Sequence, residues 1–219
     1  MINVRIVGWI GIAACVWFWL ASFLFGALRP AYSHSVNTIS ELGAIGTPYA
    51  ALWNIVGFGL TGLLLTVVGA VVAGAVGRRK STASSIARLL LILAGIAIAG
   101  QGLIPAEMVD GVADIESPYT RGHFVSSLVS AGAWVLGALL LVGPMKRDAR
   151  WRGWSMVSIA LVLLTVVAAV TLRGALPAGL AQRLGNAVFL SWYVLMSLKL
   201  IWLGSESSVG QDEARRAAA

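Results

Sequence analysis

The sequence predicts an all-α fold: a polytopic membrane protein built as a bundle of six transmembrane helices, with both termini on the cytoplasmic side. Three observations predict it. Of 219 residues, 58% are hydrophobic and only 11% charged, where a soluble domain has about 45–50% and about 25%. The apolar residues gather in six continuous runs, each near the roughly 20 residues that a membrane-crossing helix needs. The 16 Lys and Arg residues fall mostly in alternate connecting segments. Barrel strands would be about 10 residues long and alternate in polarity, and these runs do neither. Disorder needs low hydrophobicity and high charge. The single Cys15 excludes a disulfide framework. The net charge of +7 sits in short clusters between apolar runs, so it does not indicate nucleic acid.

Each element has its own justification. The first run, about 4–28, is too long for a signal-peptide core and lacks a small-residue cleavage site, so it is a retained helix. The others span about 50–76, 86–104, 122–143, 153–172 and 182–203. The domain ends near 204, and the polar, Ala/Ser-rich tail 205–219 is expected to be disordered. Arg5, Arg78, Arg79, Lys80, Arg88, Lys146, Arg147, Arg150, Arg152, Lys199, Arg215 and Arg216 fall on one side of the bundle. Only Arg29, Arg121, Arg173 and Arg183 fall on the other. Cytoplasmic loops carry the Lys/Arg excess, and these loops are expected to touch anionic lipid head groups. Trp9, Trp151, Trp154 and Trp202 fit an aromatic belt at that boundary. Gly57, Gly62, Gly69, Gly95 and Gly137 suit close helix approach. No block repeats at a fixed period, so the inverted repeats of many transporters are absent.

Polar residues concentrate toward the opposite ends of the helices. The first loop carries His34, Asn37, Thr38, Ser40 and Glu41. Asn54 and Thr61 follow in the second run, and Gln101 ends the third. The third loop holds Glu107, Asp110, Asp114 and Glu116, the last three reading as an exposed acidic loop. Arg121, His123, Ser126, Ser127 and Ser130 open the fourth run, and Gln182, Arg183, Asn186, Trp192 and Tyr193 stand in the sixth. His123, Ser126, Ser127 and Ser130 share one helix face by spacing. Polar groups in lipid must face protein, water or each other. The pattern predicts a polar pocket open to the outer face, ringed by helices 2, 3, 4 and 6 and roofed by loops 1 and 3.

The residue types point to acid–base chemistry at His34, Ser40, Glu41, Glu107 and His123, with Ser126 or Ser127 as nucleophiles beside His123. His34, Glu107 and His123 are alternatively ligands for a divalent metal. Asn37, Asn54, Gln101, Arg121, Ser126, Ser127, Gln182, Arg183, Asn186 and Trp192 are the expected substrate contacts, Arg183 suiting a phosphate or carboxylate. Three readings stand: an enzyme acting on a membrane lipid or isoprenoid-like substrate, a non-catalytic lipid-binding accessory protein, and a small-solute transporter. In one version of the first, Glu41 protonates a polyprenyl chain while Trp53, Trp134 and Trp192 surround the cation. A transporter needs polar residues through both leaflets, and the cytoplasmic halves lack them. Each residue also has a plainer role. The serines can bond back to the helix, the histidines can be interfacial, the acids solvated, and Ser40-Glu41 can cap a short interfacial helix. Gly43 and Gly46 permit positive φ, Pro48 suits a first helical turn, and Glu41 is expected near the start of helix 2, where the dipole favours an anion.

The run Pro30-Ala31-Tyr32-Ser33-His34-Ser35-Val36-Asn37-Thr38-Ile39-Ser40-Glu41-Leu42-Gly43-Ala44, with Gly46, Pro48, Asn54 and Gly57 after it, resembles a prokaryotic six-helix membrane family designated domain of unknown function 998. Gly102-Leu103-Ile104-Pro105-Ala106-Glu107 looks like that family's Phe-Pro-x-Asp segment, with Ile104 and Glu107 in place of its usual Phe and Asp. His123 matches its histidine opening helix 4, and Gly179-Leu180-Ala181-Gln182-Arg183-Leu184, with Trp192, looks like its start of helix 6. The cysteines common in its third loop are missing here, so a loop disulfide or cysteine-bound metal is not available. The family is distantly similar to the Frag1/DRAM/Sfk1 group, which is associated with lipid handling. The resemblance implies a prokaryotic cytoplasmic membrane and a lipid-linked theme.

Overall fold

A computed structural model describes residues 3–77, 81–109, 112–172 and 174–217, with side chains as far as Glu206. Arg78, Arg79, Lys80, Asp110 and Arg173, and the side chains of Arg215 and Arg216, lie outside the described residues. Among the described residues, six helices are long and apolar enough to cross a membrane: α1 (Val4–Ala27), α2 (Ala50–Ala75), α3 (Thr82–Leu103), α4 (Pro118–Arg147), α5 (Trp154–Thr171) and α6 (Ala178–Ala217). The chain is an integral membrane protein.

Local chemistry sets the ends. Asn3 caps α1 by accepting from the backbone N–H groups of Arg5 and Ile6. Ser81 caps α3 in the same way, so that helix begins four residues before its apolar run. Pro118 opens α4, where its missing N–H is no loss. Where composition favoured a disordered tail, the backbone of α6 stays helical through Ala217; the buried part of the helix nucleates it, and propagation adds a bond per residue. Within α2, residues Asn54–Gly59 form a π-helical segment, a departure the apolar pattern does not encode.

Neighbours in sequence pack in space, and α6 closes the ring by packing on both α5 and α1. The core is aromatic. Trp53, Trp134, Trp151, Trp192 and Tyr193 are fully buried. Trp134, Phe189, Tyr193 and Trp192 form a closed circuit of edge-to-face contacts between α4 and α6, with centroids 5.0, 5.3, 5.1 and 6.0 Å apart. Trp192 Nε1 donates to Ser158 Oγ on α5 at 2.7 Å.

At the basic-loop end, Asp148 accepts from Arg150 and from the backbone N–H of Gly77. The Arg150 hydrogen bonds hold its carboxyl below the usual range. Trp151 donates to Ala75 O at 3.1 Å and is fully buried. It therefore joins helices here and does not stand in an aromatic belt, whereas Trp9 and Trp202 are exposed. At the opposite end the three remaining connections meet. Ile45 of the first loop donates to Ala106 of the third at 2.9 Å, and Gly179 and Leu180 at the start of α6 donate to Val36 and Ser35 of the first. The first loop thereby satisfies N–H groups that the α6 terminus leaves unpaired. Gly179 is required for this approach, because a Cβ there would overlap the carbonyl of Asn37.

Candidate functional site

The first loop is ordered by its own sequence. Thr38 and Glu41 form a capping box on a short 3₁₀ turn, Ile39–Gly43. One Glu41 carboxylate oxygen accepts from the Thr38 backbone N–H and hydroxyl at 2.8 and 3.0 Å, and the other accepts from Asn37 Nδ2 at 2.6 Å. Glu41 is therefore the cap of its own loop, not an anion at the start of α2, and the proton-donor version of its role has no support in this geometry. Gly46 has the expected positive φ of 81°. Gly43 does not. It is buried where a Cβ would overlap Asn54 Oδ1 and come within 2.8 Å of the Trp53 ring, which lets Asn54 Nδ2 donate to the Gly43 carbonyl at 2.9 Å. Pro48 precedes the first turn of α2, whose N-cap is Tyr49.

The 3₁₀ turn delivers Ser40 to the side chains of two helices. Ser40 Oγ lies 3.1 Å from His123 Nε2 on α4 and 3.3 Å from Gln182 Nε2 on α6. Gln182 is oriented by its other end, which accepts the Ile39 backbone N–H at 2.5 Å. His123 Nδ1 faces two backbone carbonyls, Gln101 at 3.1 Å and Ile104 at 3.0 Å. A carbonyl only accepts, so Nδ1 carries the proton and Nε2 of the neutral ring is an acceptor. The Ser40 hydroxyl then donates to Nε2 while accepting from Gln182. The result is a serine held against an imidazole base, with the base held in turn by the C-terminal end of α3. The ring is buried against Phe58.

Beside this pair lies a second cluster. Arg183, buried at 8% exposure, donates through Nη1 to the carbonyls of Asn37 and Gly179. Through Nη2 it donates to Tyr32 Oη at 2.7 Å and to His34 Nδ1 at 3.1 Å. A guanidinium only donates, so His34 Nδ1 is an acceptor and its proton sits on Nε2. Burial, then the Arg183 charge, keeps His34 below its ordinary pKa. Tyr32 Oη donates onward to Thr38 O at 2.8 Å, and burial raises its pKa.

Several sequence expectations are corrected. His34, Glu107 and His123 do not assemble into a metal site: among the described residues no three His, Cys, Asp or Glu side chains are so placed. His34 is turned to Arg183 and His123 to Ser40. Glu107 enters the hydrogen-bond network through its backbone, with Thr120. Ser126 is not a nucleophile beside His123, because its hydroxyl bonds to Ala97 O on α3 at 2.8 Å. Ser127 and Asn186 are half-buried. Gln101 contributes its carbonyl to that network and not its amide. Arg121 is exposed and pairs with Glu116 on the surface. Trp192 is walled into the core. At this end the polar groups form a knot of hydrogen bonds, in which Arg183 Nε and Asn54 Oδ1 are left without a partner. Contributors outside the expected site residues include Thr38 and Thr120, Tyr32, which the sequence offers only as a motif position, and the Ile104 carbonyl, which no side-chain pattern announces. The Tyr-x-His spacing of Tyr32 and His34 is the available signal.

The knot draws on residues 32–43, 101–107, 120–123 and 179–183. No curated protein and no solved structure matches this chain. A family model described as "Protein of unknown function (DUF998)" matches residues 12–199, a stretch that contains every residue of the knot, and by that match the chain belongs to the DUF998 family.

Proposed function

We propose that this protein is an intramembrane enzyme that hydrolyses or transfers an acyl group of a membrane lipid, with Ser40 as nucleophile and His123 as its base. The observation that carries this reading is the 3.1 Å contact of Ser40 Oγ with a His123 Nε2 that two carbonyls leave as an acceptor. As Oγ bonds to the ester carbonyl carbon, its proton passes to Nε2. The imidazolium so formed keeps its Nδ1–H on Gln101 O and Ile104 O, at the end of α3 where the dipole favours a cation. The departing alkoxide takes the Nε2 proton, leaving an acyl-serine that water or a second alcohol resolves with the same base. The Lys/Arg asymmetry supports a cytoplasmic position for the basic loops, in contact with anionic head groups, with Ser40 at the outer leaflet of a prokaryotic cytoplasmic membrane.

Purified protein in nanodiscs, treated with a fluorophosphonate probe and digested for mass spectrometry, tests the proposal. Ser40 should carry the label, and His123→Gln should lose it. An unlabelled Ser40 beside a labelled control hydrolase would overturn the enzyme reading. It would favour a lipid-binding accessory protein instead, a role consistent with both hydrogen-bonding partners of the Ser40 hydroxyl being structural ones.

A further inference from the structure

The Ser40 pair has a cationic flank that its chemistry does not use. Arg183 is buried, and its four hydrogen-bond acceptors are neutral. Its Nε–H is buried with no partner, and among the described residues it forms no ion pair; the two ion pairs there are Arg121–Glu116 and Arg150–Asp148. A buried guanidinium without a carboxylate is costly, because neutral acceptors satisfy its hydrogen bonds but not its charge.

A second guanidinium lies close by. Arg29 and Arg183 both stand over the Tyr32 ring, at 5.8 and 5.6 Å from its centroid. Arg29 donates through Nη1 to the Glu41 carbonyl at 2.8 Å, which leaves the rest of its fork for another acceptor. The one acid of the loop, Glu41, is occupied by Thr38 and Asn37 and pairs with neither arginine. His34 accepts from Arg183 as a neutral ring. Two positive groups thus face one ring with one negative group nearby.

These cations are tied to the reactive serine by chain geometry. Arg29 is bonded to the residue that follows Ser40, and Arg183 follows Gln182, which is bonded to Ser40. Arg29 also stands directly after the outward apolar end of α1, where Phe23, Leu24 and Leu28 are all exposed. An acyl chain alongside those residues would carry its head group to Arg29.

We infer that Arg29, with Arg183 fixed beside Tyr32, forms an anion site for the phosphate of a lipid whose ester is presented to Ser40. Arg29 makes the direct contact through its free N–H groups, and the buried Arg183 adds positive charge next to it. This rests on the Ser40 reading for the placement of the ester but not for the binding of the anion. It narrows the substrate class to anionic phospholipids.

The test uses full-length Ser40→Ala protein in an uncharged detergent and follows its melting temperature. Dihexanoyl phosphatidylglycerol at about tenfold above its Kd should raise Tm by about 3–5 °C. Dihexanoyl phosphatidylcholine should raise it less, and Arg29→Gln should remove the difference. Arg183→Gln loses three bonds to the first loop and one to Gly179 of its own helix and is expected to lower Tm by itself, so the decisive variant is Arg29→Gln. An equal shift from inorganic phosphate alone would overturn the lipid as occupant. No shift from either, or a shift that persists in Arg29→Gln, would overturn the site. Because catalysis is absent from this measurement, its failure leaves the enzyme reading to be decided separately by fluorophosphonate labelling of Ser40.

Discussion

His123 Nε2 lies 3.1 Å from Ser40 Oγ, joining residues 83 positions apart. The contact unites the first loop, the end of α3 and the start of α4, and Gln182 extends it to α6.

Base catalysis by an oriented imidazole contributes about 10²–10⁴-fold. His123→Gln should therefore slow fluorophosphonate labelling of Ser40 by about 10² or more. Gln182→Ala, which removes a positioning bond to the hydroxyl, should slow it less and leave its pH dependence unchanged. If Gln182→Ala matched His123→Gln in both rate and pH profile, His123 would not be acting as a base.

The loop is capped by Glu41. Glu41→Ala and Thr38→Ala remove the reciprocal bonds of the box, and each should destabilise by about 1 kcal/mol. Limited proteolysis between residues 29 and 45 should accelerate in both variants. Unchanged cleavage would mean that the loop is held by its contacts to α6 alone.

Gly43→Ala puts a methyl group against Asn54 Oδ1 and the Trp53 ring. Overpacking of this kind costs about 1–3 kcal/mol. Gly74→Ala, with nothing within 4 Å of the new methyl, should be neutral or slightly stabilising by helix propensity. Thermal denaturation of the pair measures the contrast.

His34 must be neutral to accept from Arg183. Its folded-state pKa is lowered by burial and then by Arg183, so below about 6.5 the unfolded chain binds more protons. Stability should fall as pH drops through that value. The groups beside the ring are Arg183, Tyr32 and Phe23. His34→Asn keeps an acceptor but does not titrate, so the slope of Tm against pH between about 7 and about 5 should flatten relative to the parent.

Asp148 has its pKa lowered chiefly by its hydrogen bonds with Arg150. Its contribution is present above the ordinary carboxylate value near 3.8 and is lost as pH falls from there through its lowered folded-state value. Asp148→Asn should lower Tm at about pH 7, and its deficit relative to the parent should shrink as pH falls below about 4 toward about 3. A constant difference across that range would place the effect in packing and not in charge.

How much is legible in the sequence differs between fold and site. Six spans are readable because a bilayer demands long, continuous apolar runs, and 58% hydrophobic content leaves few other arrangements. The end of the bundle holding the polar side chains is readable too, since His34, Ser40, His123, Gln182 and Arg183 stand at run boundaries. Their partners are not. The i, i+3, i+4 spacing that places Ser126 with His123 on one face says nothing of what that face meets, and it meets Ala97 on α3.

By itself, then, the amino-acid sequence determined the solvent of this protein, its helices and the few polar residues that lipid could not accept. Tertiary structure decided which of those residues touch. Pairing across 83 or 142 positions depends on how the loops fold back and which carbonyls they present. Backbone groups such as those of Gln101 and Ile104 carry no side-chain signature, yet it is their two carbonyls that set the proton on His123 and aim its free nitrogen at Ser40.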